Sequence, residues 1–250
     1  MHSTRIDESL NGTLEWAMER LRRKGYEVTS KVSLSVDEGL NIMGYAKQVG
    51  EVHKIIISAW ALDSEMLGGL VLHELAHVYF TERGASSHDG AVLDEVLNEL
   101  KERDGLRAKE SEYLVDAFNH LQNILVDDVV FAVMEDKELG TATRFFSEWV
   151  SDRPSGDPML DASLLSRNAF AVASLRRRGL FEEDGDLYYR NKGFLGCMGE
   201  QCEQEFEWLE RFLERSSQEW TREEFRGVLK EYFDRMLSLM RSSSRMDDLR

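Results

Sequence analysis

The chain is short of cysteine, of proline, of basic residues and of long apolar runs. Two cysteines, Cys197 and Cys202, in 250 residues exclude a disulfide framework and a four-cysteine zinc site. No run approaches ~18 consecutive apolar residues, which excludes a membrane-spanning helix. The opening stretch MHSTRIDESLNG lacks the apolar core of a secretory leader, so a reducing, cytoplasmic setting is expected. Lys and Arg total 31 against 47 Asp and Glu, a formal charge of -16. A surface this acidic repels phosphate backbones and anionic lipid, so neither nucleic acid nor membrane is an expected partner. Both prolines, Pro154 and Pro158, fall in SDRPSGDPML, the best candidate for a linker. They predict a catalytic part over 1–150 and a helical part over 151–250.

What is present is enough apolar material for a sizeable core: 42% of residues are hydrophobic and 10% aromatic. Periodicity predicts helices over 6–24, 64–81, 91–103, 110–136, 160–178, 203–216 and 221–241. Strand-like alternation covers 26–36, a second strand or hairpin lies in 39–50, and the β-branched run Ile55-Ile56-Ile57-Ser58 reads as a third. The expected fold is α+β, mostly helical, with a small sheet near the N-terminus. His53, beside the isoleucine strand, reads as a plain surface residue, whereas Tyr79 and Phe80 read as core.

The chemistry concentrates in VLHELAHVYF. His73 and His77 are four apart, hence on one face of a helix and one turn from each other. Two imidazoles so placed can share one Zn2+, and Glu74 projects beside the first, where it can act as general base toward a metal-bound water. With six histidines in the chain, the pattern H-E-x-x-H arises by accident about 0.02 times. The opposing reading is a pair of core histidines with internal hydrogen bonds.

HELAH inside a helix that follows a strand resembles the zincin metallopeptidases. The extended metzincin form would need Gly and His at positions 80 and 83, where this chain has Phe80 and Arg83. What remains is similar to the gluzincin arrangement, which implies a third, carboxylate ligand from a downstream helix. The chain also resembles a group of uncharacterised archaeal proteins. These join an HExxH helix to a Ser-His-Asp stretch (here Ser87, His88, Asp89) and a later helix carrying Asn119, His120, Asn123, Asp127 and Asp128.

Asp116, His120, Asn123 and Asp127 lie within about 60° of one another on the 110–136 helix, a polar stripe on an otherwise apolar element. Such a stripe must be satisfied, and a metal with its surroundings would do so. The bland reading is the exposed side of an ordinary amphipathic helix. Asp127 is the first choice for third ligand and His120 the second; if Asp127 binds, His120 could steady the substrate or the tetrahedral intermediate. Asp128, Glu99 and His88 are the other candidates. Asn98-Glu99 matches part of the gluzincin pattern, but the aspartate expected four residues later is Arg103. His88 reads more simply as a loop residue.

The expected function is therefore zinc-dependent hydrolysis of peptide bonds in a peptide or protein substrate. One zinc ion is held by His73, His77 and Asp127, Glu74 is the base, and the Ile55–Ser58 strand holds the substrate backbone. The alternative is an idle zincin-like metal-binding protein that serves as a structural or regulatory module for a partner.

Overall fold

The computed structural model describes residues 2–247, with side chains over 9–241; the reading of the N-terminal stretch begins outside them, at Met1. The fold is α+β and mostly helical. Among the described residues, no helix is long and apolar enough to cross a membrane. The chain packs as two compact units, one of residues 1–88 with 126–142, the other of 89–125 with 143–250. The segment holding both prolines lies within the second.

In the first unit, α1 (His2–Arg23) leads to three strands, β1 (Lys31–Asp37), β2 (Gly44–Val49) and β3 (Val52–Ser58), and then to α2 (Leu67–Glu82). The sheet order is β1-β3-β2. β3 is parallel to β1, with Leu34 opposite Ile55, and antiparallel to β2, with Ala46 opposite Ile55. Two expectations change here. β3 is the central strand and both its edges are paired, so Ile55–Ser58 cannot receive an extended peptide by strand addition; the open edges belong to β1 and β2. His53 is buried, with 3% of its surface exposed. It lies in β3 one pleat from the core residues Ile55 and Ile57 and points to the same side of the sheet.

The core of this unit joins Leu14, Ala17 and Leu21 of α1 and Ile55 and Ile57 of β3 to the apolar residues of α2. Gly68 permits the close approach of α1: a Cβ there would stand 3.1 Å from the Trp16 ring. α2 starts at Leu67, later than its sequence suggests, because Ser64 spends its hydroxyl on the Met66 amide in the preceding turn (3.1 Å). It ends at Gly84, whose φ of +60° turns the chain back, with the Ala85 amide on the Phe80 carbonyl at 3.0 Å. Tyr79 and Phe80 are core residues, as their sequence position implies.

The second unit is helical: α3 (Gly90–Asp104), the larger part of α4 (Ala108–Val133), the second half of α5 (Asp136–Trp149), then α6 (Pro158–Arg176), α7 (Asp186–Met198), α8 (Glu200–Glu214) and α9 (Arg222–Asp247). α6 is buried on nearly every side, from Ala162 and Leu165 to Phe170 and Leu175. A helix apolar all round belongs at the centre of its unit, and α6 packs against α7, α8 and α9. Asp157 caps it through the Met159 and Leu160 amides (2.9 and 3.1 Å), with Pro158 in its first turn. α5 and α7 are not among the helices predicted from periodicity; α7 holds Gly193 and Gly196 and carries a weak apolar stripe, whereas the apolar stripe of α5 is strong.

Candidate metal centre

Helix α2 places His73, Glu74 and His77 on adjoining positions of one face. The Gly84 turn brings back a short 3-10 segment, Ser86–His88, and the His88 ring stacks on Phe80 at 5.0 Å with an interplanar angle of 19°. The last part of α4, from Val126, brings Asp127 and Asp128, both buried. His73, Glu74, His77, Ser87, His88 and Asp127 all belong to the first unit.

The two motif histidines meet through their Nε2 atoms, 3.3 Å apart. Each ring is held from its far side. Nδ1 of His73 lies 3.4 Å from Oδ1 of Asp127. Nδ1 of His77 lies 2.9 Å from Nε2 of His88, whose own Nδ1 lies 3.0 Å from the Ser87 hydroxyl. Because a carboxylate only accepts, the His73 proton faces Asp127 and Nε2 of a neutral His73 presents a lone pair.

The rest of the chain can then run in two senses. In one, Ser87 donates to His88, His88 to His77, and Nε2–H of His77 to His73. In the other every proton moves one place: His77 donates to His88 and His88 to Ser87. Two Nε2 lone pairs then face each other, an arrangement that calls for a cation between them. Two ligands of a tetrahedral zinc at 2.0–2.1 Å are themselves about 3.3–3.4 Å apart. The donor pair thus fits two positions of a zinc coordination sphere. Among the described residues, no group of three or more His, Cys, Asp or Glu side chains is arranged to hold a metal ion. Asp127, expected as third ligand, stands at the nitrogen of His73 turned away from His77, where an outer carboxylate orients an imidazole.

Burial raises the pKa of Glu74, and the nearby His73 and the Ala46 backbone amide pull it partly back. Burial, with the His73 charge, pushes His88 down to about 4, so it stays neutral at pH 7 and serves as a relay between His77 and Ser87. That His88 would join the site was weakly legible: it is eleven residues beyond His77 in a short Gly-Ala-Ser-Ser loop, and what settles its place is the stacking on Phe80.

Of the other candidates, Asp128 lies in the first unit, and His120, Glu99 and Glu95 lie in the second and have partners there. Nδ1 of His120 bonds the Ser166 hydroxyl at 2.9 Å. Glu99 pairs with Arg226 (2.8 Å) and Lys230, and Glu95 with Arg222 (2.7 Å), so α3 spends these carboxylates on α9. Asp116 is exposed, and its pKa is raised by loss of solvation and by Glu112. Cys197 and Cys202 are free thiols.

Sequence comparison gives this geometry a family. The chain belongs to DUF5781, a family of unknown function. The DUF5781 match covers residues 17–193, and so takes in the sheet, the HELAH helix, His88, α4 and Ser166, but not Tyr232. No curated protein and no solved structure matches the chain.

Proposed function

We propose that this DUF5781 protein is a zinc-dependent hydrolase of peptide bonds, with one metal ion held by Nε2 of His73 and Nε2 of His77. The observation that carries the reading is the 3.3 Å separation of these two nitrogens, each ring being anchored at Nδ1. Bound zinc supplies Lewis acidity toward a carbonyl oxygen and acidifies water. Asp127 and His88 fix the planes of the two imidazoles and set which nitrogen of each is available. Glu74, adjacent in sequence to the first ligand, receives a proton at its carboxylate and returns it to the leaving amine. A pKa raised by burial favours that exchange.

The test is metal analysis of the zinc-loaded full chain together with hydrolysis of a quenched fluorescent peptide library. The parent is expected to carry one zinc per chain. His73→Ala and His77→Ala lose it. Glu74→Gln keeps it, with turnover lower by about 10²–10⁴-fold. A parent that takes up no stoichiometric zinc ends the proposal. A parent that holds zinc but cleaves no peptide leaves the metal site in place and favours an idle, partner-binding role.

A further inference from the structure

The second unit contains a buried polar chain that the proposed hydrolysis does not use. His120 of α4, Ser166 of α6 and Tyr232 of α9 are linked in sequence: Nδ1 of His120 to Oγ of Ser166 at 2.9 Å, and Oγ of Ser166 to Oη of Tyr232 at 2.8 Å. Ser166 and Tyr232 are fully buried, and His120 is 9% exposed. Phe170 stacks beneath the imidazole at 5.2 Å, with an interplanar angle of 12°.

Counting hydrogens fixes the direction of this chain. Among the described residues, the Tyr232 hydroxyl has one hydrogen-bond partner, Ser166. If Ser166 donated to Tyr232, the phenol hydrogen would be buried with no acceptor, which is unfavourable. Tyr232 therefore donates to Ser166, Ser166 donates to Nδ1 of His120, and the imidazole proton resides on Nε2. Burial raises the Tyr232 pKa further, which keeps the phenol a donor. Burial and the Arg167 charge hold His120 down to about 3, so the ring stays neutral. Nε2 is not among the buried polar atoms without partners, so the residual exposure of His120 gives it a path to solvent. Arg167, next to Ser166 in α6, has a buried Nε with no hydrogen-bond partner among the described residues, and its charge acts on His120, which favours a negatively charged partner.

We propose that Ser166 and Tyr232 are positioning residues that lock His120 as a fixed Nε2–H donor for an anionic oxygen, a carboxylate in the simplest case. This role requires no metal, so its failure is separable from failure of the hydrolase reading. It also separates two uses of His120: a ring that presents Nε2–H, with Nδ1 occupied by Ser166, is a hydrogen-bond donor and not a metal ligand.

The experiment is two-bond ¹H–¹⁵N correlation on the ¹⁵N-histidine-labelled full chain, without added metal, with acetate as probe. The His120 resonances, assigned with His120→Gln, are expected to show a pyrrole-type Nε2 and a pyridine-type Nδ1. Ser166→Ala and Tyr232→Phe, checked for folding by thermal unfolding, should lower the ratio of this tautomer to the other at least fivefold. Acetate should shift Nε2–H in the parent and bind at least fivefold more weakly to Ser166→Ala. A proton on Nδ1 in the parent, an unchanged tautomer ratio in both folded variants, or no acetate-dependent shift of Nε2–H overturns the proposal.

Discussion

Glu74, the acid of the HELAH helix, is buried, and the backbone amide of Ala46 on strand β2 pulls its pKa down against the larger effect of that burial. The sheet thereby acts on the chemistry electrostatically as well as by packing. Burial prevails, and the Glu74 pKa stands above its ordinary value of 4.5. If Glu74 is the base, the acidic limb of the kcat/KM profile against pH lies above 4.5. Rate falls as pH drops through the raised pKa, because protonation removes the acceptor. A limb at or below 4.5 would assign the proton transfer to another group.

Asp127 and His88 each stand at Nδ1 of one of the two HELAH imidazoles proposed above as zinc ligands. Removing such a partner costs about 10–100-fold in metal affinity without abolishing binding. Asp127→Asn and His88→Gln are therefore expected to weaken zinc binding by that amount, measured by competition with a chelating dye. A loss of stoichiometric zinc in Asp127→Asn would make Asp127 a direct ligand.

Glu110 is buried between Arg241, which meets both its oxygens at 2.9 Å, and Arg107, at 2.6 Å. Arg241 above all holds its carboxyl far below the ordinary 4.5, against the opposing effect of burial. A depressed carboxylate contributes stability that is complete above about pH 4.5 and is lost as pH falls through the folded value. Glu110→Ala should lower stability by about 3 kcal/mol at pH 7, and the difference from the parent should shrink under acid. Urea unfolding at pH 7 and pH 3 measures both.

Glu210 behaves in the opposite way. It pairs with Arg176 at 2.8 Å, yet burial raises its pKa to about 7. The unfolded chain ionises this group near 4.5, so the folded state loses stability as pH rises from about 4.5 to 7, and the deficit persists above that range. Glu210→Gln should stabilise the protein at pH 8 by roughly 1–3 kcal/mol and leave it unchanged at pH 4. Equal stability of the two proteins at pH 8 would mean that Arg176 offsets the burial completely.

Much was legible locally. The four-residue spacing of His73 and His77 put both rings on one helical face because the α-helix repeats every 3.6 residues. The glycine stop at Gly84, the core character of Tyr79 and Phe80, and the mostly helical α+β class also followed from short-range pattern. Helix α7, with its weak apolar stripe, escaped the pattern, as did the central position of β3; the stripe of α5 is strong, and that helix was legible though not predicted. Strand order is a matter of pairing between distant segments, and a run of isoleucines reads the same at an edge or in the middle.

The sequence by itself determined which residues could do chemistry, because residue type and helical period are local properties. Tertiary structure alone decided how they are used: that Asp127 addresses Nδ1 of His73, that His88 backs His77, and that His120 is taken up by Ser166 and Tyr232. Each of these contacts joins segments that are brought together only by burial of the apolar surfaces around them. The proton positions follow from which acceptor burial places next to which donor.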